Sequence, residues 1–358
     1  MTSWPSRLLR WYGTHRRDLP WRGHPDPYAV WVSEIMLQQT RITTVRPYFL
    51  RFMERFPTLR ALAGAPVAEV LKEWEGLGYY SRARNLQAAA QQILAEHSGE
   101  IPRTAHALAT LPGIGPYTAA AIASICFGEQ VPVVDGNVAR VGSRYLGWRD
   151  DFRRPAARRK LAAWLQPALT AARTPGDLNQ ALMELGERIC LPRTPACADC
   201  PLAATCHAGR SGTQSRFPFR PPPRTVPTRH AAAVLLRRRD LWLLMQRPAD
   251  GLLGGFWELP GGECPEAADA QQARDAVSRL TGVTPVGLTL LGTWEHRFSH
   301  FLLSLRVFAS QGGKGRLAVC GRGVRAAWVA TEALQQLPVA TLHRRILAHV
   351  SGNLTTNR

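Results

Sequence analysis

Apolar residues recur at steps of three and four through the first 208 positions, and between Gly and Pro punctuation these steps define helices. The pattern predicts helices over Tyr28–Gln39, Val67–Gly76, Arg82–Glu96, Ala105–Leu111, Tyr117–Phe127 and Asn137–Leu146. Residues 209–228, GRSGTQSRFPFRPPPRTVPT, break the periodicity and are rich in Pro, Ser and Arg, which predicts a semi-rigid linker. Beyond it, apolar runs of strand length lie at Ala231–Leu236, Leu241–Gln246, Leu288–Trp294, Phe301–Phe308 and Ala326–Val329. Helical patterns cover Pro265–Leu280 and Leu342–Val350. The chain is therefore expected to be multidomain, with an all-α domain over 1–208, the linker over 209–228 and an α+β domain over 229–350.

Composition agrees with two cores: the chain has 358 residues, 45% of them apolar. Lys+Arg number 45 against 26 Asp+Glu, a formal charge of +19, and the only lysines are Lys72, Lys160 and Lys314. Arginine offers a planar fork to phosphate, so the balance points to nucleic acid, with an arginine-biased soluble protein as the competing explanation. The start MTSWPSRLLRWYG lacks an apolar signal core, and the longest apolar run, Ala119–Phe127, is too short to span a bilayer. A cytoplasmic protein with no membrane partner is expected, and it is taken to be a monomer. In a reducing compartment the seven cysteines are not expected to form structural disulfides. Cys126, Cys264 and Cys320 are scattered and read as small buried residues.

Four local patterns carry chemistry. Cys190, Cys197, Cys200 and Cys206 have the spacing CysX6CysX2CysX5Cys, which predicts a thiolate-held metal but does not separate zinc from iron–sulfur. In LPGIGPYTAAAIASICFG, Gly113 and Gly115 interrupt two helices and let a backbone approach phosphate. In VPVVDGNVARV, Asp135 precedes a helix and by itself reads as an N-cap. In PYAVWVSEIMLQQT, the helical neighbours of Glu34 are Val30, Trp31, Leu37 and Gln38; three are apolar, which favours a neutral carboxyl suited to a general acid.

Taken together, the glycine hairpin, Val-Asp-Gly-Asn-Val-x-Arg-Val and the cysteine loop resemble the endonuclease III, helix-hairpin-helix superfamily of base-excision glycosylases. Ser-Glu-x-Met-Leu-Gln-Gln-Thr narrows this to the MutY-type adenine glycosylases. The resemblance implies catalytic roles for Glu34 and Asp135. Tyr117 stands where lyase members carry a lysine nucleophile, so a monofunctional enzyme is expected. It also implies a [4Fe-4S] cluster on the loop 190–206. Trp21, Arg22 and Gln180 would line the adenine pocket. Tyr79 would be a wedge stacked beside the oxidised guanine, Gln39 would help fill the gap left by the flipped base, and Gly113 and Gly115 would hold phosphate. The substrate implied is double-stranded DNA carrying adenine opposite 8-oxoguanine, with activity on adenine opposite guanine left open, and the location is nucleoid-associated.

The segment LLMQRPADGLLGGFWELPGGE, residues 243–263, resembles a Nudix (MutT-like) domain. Counting back from Gly282, the places of the metal-binding Arg-Glu-x-x-Glu-Glu pattern hold Asp275, Ala276, Arg279 and Leu280; the glutamates are gone, so magnesium-dependent hydrolysis is not expected. Phe298, Ser299 and His300 match the family loop implied to contact the oxidised base. Three rival functions are a bifunctional pyrimidine glycosylase, a non-catalytic lesion binder and a nucleotide pyrophosphatase. Glu34 and Tyr117 oppose the first, Glu34 with Asp135 the second, and Ala276 with Leu280 the third.

Overall fold

The computed structural model describes residues 3–24, 26–219, 221, 225–248, 251–267, 269–318 and 324–351. Cys320 and linker positions 220 and 222–224 lie outside the described residues. Two compact units emerge: Met1–Gly64 with Asn85–Pro222, and Ala65–Arg84 with Pro223–Arg358.

Helices in chain order through both units are α1 (Trp4–His15), α2 (Pro27–Leu37), α3 (Ile42–Arg55), α4 (Leu59–Gly64), α5 (Val67–Glu73), α6 (Ser81–Glu96), α7 (Ala105–Leu108), α8 (Pro116–Phe127), α9 (Gly136–Leu146), α10 (Pro155–Thr170), α11 (Pro175–Arg188) and α12 (His207–Ser211). In the first unit α2 is buried all round, from Tyr28 to Met36, the mark of a central helix. Asp26 starts it by accepting from the Tyr28 N–H at 2.9 Å. It stops at Leu37, two residues short of the predicted end, and Gln39 takes the left-handed φ of 60°. Around α9, Val138 and Val141 join Leu161 and Leu165 of α10, Leu178 and Leu182 of α11, and Leu8 and Trp11 of α1 in one core.

The second unit contains β1 (Thr228–Leu235), β2 (Arg237–Arg238), β3 (Leu241–Gln246), β4 (Trp257–Glu258), β5 (Gly261–Cys264), α13 (Ala270–Thr281), β6 (Val283–Arg297), β7 (Leu302–Gly315), β8 (Arg325–Ala330) and α14 (Thr341–Ser351). One sheet has the order β5-β1-β7-β6; the other is β2-β3-β4, with β8 also paired to β3. Strand β1 runs parallel to β7, Thr228 facing Leu302 and Leu235 facing Ala309. Ala231, Ala233 and Leu235 join a core with Trp242, Leu244, Leu305 and Val307. Their alternates Ala232, Val234 and Leu236 join Ala273 and Val277 of α13. Both faces of β1 are covered from Ala231 onward, which is why that stretch is continuously apolar rather than alternating. Gly261 is required here, because a Cβ would lie 2.0 Å from the Ala232 carbonyl oxygen.

Other boundaries also differ from expectation. Helix α13 begins at Ala270 rather than Pro265, because Asp269 and Gln272 form a capping box there. Strands β6 and β7 run well past their apolar stretches, since they pair from Val283–Gly315 to Arg297–Leu302. Among the described residues no helix is long and apolar enough to cross a membrane.

Candidate active site

A cavity of about 120 Å³ in the first unit is lined by Trp21, Arg22, Glu34, Tyr117, Asp135 and Gln180, with Arg17, Met183, Glu184 and Glu187 among its other walls. The structure thus brings together six of the residues singled out from sequence. Glu34 comes from the buried face of α2 and is 6% exposed. The Tyr117 hydroxyl, from the first turn of α8, donates to Glu34 Oε2 at 3.1 Å. Burial pushes the Glu34 carboxyl up to about 7; the Tyr117 hydrogen bond opposes that, Asp135 and Glu187 add to it, and Arg22 offsets it. The Tyr117 hydroxyl is raised well above its ordinary value, first by burial and then by Glu34, so it stays a proton donor.

Asp135 is both an N-cap and a cavity carboxylate. Its Oδ1 accepts the Val138 N–H at 2.7 Å, and its Oδ2 accepts from the Asn137 side chain at 2.9 Å. Burial raises its carboxyl, and these donors pull against that by favouring the charged form. The loop before it is gripped by Asn179 of α11, which is fully buried. Asn179 Oδ1 accepts from Val133 N–H at 3.1 Å; its Nδ2 donates to Val131 O at 2.9 Å and to Ser124 Oγ on α8 at 3.0 Å. One amide therefore ties the Asp135 loop to the helix that carries Tyr117.

The far wall is a charge cluster. Glu184, 1% exposed in its side chain, accepts from Arg17 Nε at 2.7 Å and Arg22 Nη2 at 3.0 Å. Burial acts to raise its carboxyl, but the Arg17 and Arg22 contacts outweigh it and hold it lowered, so it is ionised. Arg22 Nε also reaches Gln180 Oε1 at 3.3 Å, and Trp21 sits edge-on to Phe49 with ring centroids 5.1 Å apart. Sequence reasoning missed Arg17, Glu184 and Glu187. The helical spacing of Gln180, Glu184 and Glu187, at steps of four and three on α11, was the signal available.

Other singled-out residues lie elsewhere. Gln39 is exposed beyond α2, and Gly113 and Gly115 form the turn between α7 and α8. Gly113 has φ +74°, and a Cβ there would come 2.6 Å from Asn85 Cβ; a Cβ on Gly115 would meet nothing of the chain. Within the second unit, Tyr79, Phe298, Ser299 and His300 border a cavity of about 580 Å³. Tyr79 is 45% exposed at φ 48°, and Phe298 stacks on Phe301 at 4.5 Å. At the same cavity, Arg247 Nη1 donates to both oxygens of buried Glu258, at 3.1 and 3.0 Å. On α13, Asp275 accepts from Gln271 of its own helix at 2.9 Å.

The four loop cysteines are half-buried and free. N–H groups point at three of the sulfurs: Arg144 at Cys190 (3.3 Å), Gly209 at Cys206 (3.4 Å) and Gln214 at Cys197 (3.5 Å). Such donors favour thiolate, so the donor set fits a cationic metal centre. Among the described residues no three His, Cys, Asp or Glu side chains are arranged to hold a single metal ion. Arg140 joins this loop to the cavity, donating from Nε to Cys190 O at 2.7 Å and from Nη2 to Asn137 Oδ1 at 2.7 Å.

Residues 32–167 match the HhH-GPD superfamily of base excision DNA repair proteins, and residues 231–349 match the NUDIX domain. The chain is 36% identical to the adenine DNA glycosylase of Homo sapiens, over 98% of this chain and 74% of that protein. It is 45% identical to the adenine DNA glycosylase of Mycolicibacterium smegmatis over 56% of this chain and 67% of that protein. Among solved structures, a thermostable thymine-DNA glycosylase, 29% identical, aligns over 58% of this chain and 95% of its own with a TM-score of 0.52.

Proposed function

This chain belongs to the adenine DNA glycosylase family of base excision repair, and from that premise we propose that it removes adenine paired with 8-oxoguanine in duplex DNA, as a monofunctional enzyme. Adenine is a normal base, so the enzyme must read the partner base to act selectively. The target must also leave the stack, at a cost of about a few kcal/mol.

The observation that carries the reading is the Tyr117–Glu34–Asp135 constellation in one cavity. With its carboxyl near 7, Glu34 holds a proton close to neutral pH. It donates that proton to adenine N7, and the bond from N9 to C1′ breaks as the base leaves with the bonding electrons. The sugar then carries oxocarbenium character. General acid catalysis supplies about 10²–10⁴-fold, short of the roughly 10⁶-fold that enzymes commonly reach. Asp135 supplies the further term as an anion beside the developing cation. Glu34, now a carboxylate, takes a proton from the water that attacks C1′. Tyr117 cannot form a Schiff base, so no strand cleavage accompanies base loss.

Trp21, Arg22 and Gln180 would hold the flipped adenine. Gly113 and Gly115 would receive phosphate. Gln39 would help fill the gap left by the flipped base, Tyr79 would wedge beside 8-oxoguanine, and Phe298, Ser299 and His300 would contact 8-oxoguanine. Cys190, Cys197, Cys200 and Cys206 would hold a [4Fe-4S] cluster. The cluster supplies a structural centre that folds the loop.

The test is adenine release from a duplex with one adenine opposite 8-oxoguanine, read by alkali cleavage, for wild type and Glu34→Gln. Wild type should give alkali-dependent cleavage at the adenine, and Glu34→Gln should bind but lose it. Tight binding by wild type without cleavage would favour a lesion-binding protein instead.

A further inference from the structure

We infer that Glu75 and Arg344 form a latch that orders the Tyr79 segment before DNA arrives, and that this latch sets how sharply the partner base is discriminated. The inference rests on Tyr79 and Phe298–His300 being the partner-base contacts proposed above.

Residues Ala65–Arg84 belong to the second compact unit. Glu75 follows α5 with its side chain 12% exposed, and Arg344 on α14 is 20% exposed. The guanidinium of Arg344 is fixed from behind by the carbonyls of Leu337 at 2.8 Å and Leu334 at 3.3 Å. Its Nε and Nη2 both donate to the Glu75 carboxylate, the latter at 3.0 Å. A bidentate fork on a pre-held guanidinium loses little side-chain freedom, unlike an exposed ion pair of two mobile chains. Lys72 also bonds Glu75, at 2.9 Å.

Tyr80 clamps the other side of Tyr79. Its ring, 5% exposed, lies 4.0 Å from the centroid of fully buried Phe256, and its hydroxyl is 3.4 Å from Thr341 Oγ1. Arg84 donates to the Gly254 carbonyl. Tyr79 is thus held from both sides, with φ 48° and its side chain 45% exposed beside the cavity it shares with Phe298, Ser299 and His300. A left-handed tyrosine persists only where its surroundings impose it. The ordering cost is met before binding, so the wedge and the Phe298–His300 loop meet the base pair in fixed register.

The experiment uses the full chain, with Glu75→Gln, Arg344→Gln and the double variant. Single-turnover adenine release is measured on duplexes with adenine opposite 8-oxoguanine and opposite guanine, and amide exchange of Gly76–Tyr80 is followed without DNA. Each single variant should speed exchange and lower the ratio of the two rates by on the order of tenfold. The rate opposite guanine should be unchanged, and the double variant should fall no further than either single. A merely structural role would slow both substrates alike. Equal wild-type rates on the two duplexes would sink the partner-base reading and, with it, the discriminating role. An intact wild-type preference that survives in both single variants would overturn the latch alone, as would additive losses in the double variant.

Discussion

Tyr117 donates to Glu34 across the cavity at 3.1 Å, joining α8 to the one carboxylate on α2. This bond opposes the burial that pushes Glu34 up to about 7. Removing it in Tyr117→Phe should raise the Glu34 carboxyl further. An enzyme that needs Glu34 protonated loses rate as pH climbs through that value. The alkaline limb of the kcat profile should therefore move to higher pH in Tyr117→Phe. A limb that stays in place would mean that it belongs to another group.

The same elevation makes Glu34 a stability cost at neutral pH. Its folded-state carboxyl titrates near 7 against an ordinary 4.5. Protonation therefore favours the folded state: the contribution is fully present below about 4.5 and is lost as pH rises through about 7. Glu34→Gln should be more stable than wild type above pH 7, by on the order of 3 kcal/mol. The gain should shrink towards acid. Denaturant unfolding at pH 5 and pH 8 checks this, and an equal difference at both would refute it.

Asn179 holds the loop that precedes Asp135 through Val131 and Val133. In Asn179→Leu the buried Val133 N–H and Val131 C=O lose their partner, which should cost about 2–4 kcal/mol. Turnover should fall more than KM changes, because Asp135 is displaced while the base pocket remains. Thermal unfolding and steady-state kinetics read the two effects. An unchanged kcat in folded protein would show that Asp135 is positioned without Asn179.

Gly113 and Gly115 should separate by experiment. Alanine at 113 meets both a positive φ and Asn85, so it should destabilise the fold by more than about 1 kcal/mol. Alanine at 115 meets nothing in the chain, so stability should hold within about 0.5 kcal/mol. Duplex affinity of Gly115→Ala should nevertheless drop, since its Cβ would stand where phosphate approaches. Equal affinity for wild type and Gly115→Ala would remove Gly115 from the DNA contacts.

What the sequence determined by itself was local. Helix periods, the Asp135 cap, the apolar setting of Glu34 and the cysteine spacing all depend on residues within a few positions of one another. Their consequences survive in the structure as α2, α9 and the cavity carboxylates. The Asp135 cap and its place in the cavity are one fact seen at two scales.

Tertiary structure alone decided the charge partners and the allegiance of segments. Arg17 and Glu184 are 167 positions apart, and no periodicity can pair them. The helical pattern of 67–76 marks a helix but not the core it joins; Leu71, Trp74 and Tyr80 are buried within the second unit, so Tyr79 belongs there as well. Long-range pairing depends on which faces meet once the chain is compact, and a linear pattern records only the face that each element offers.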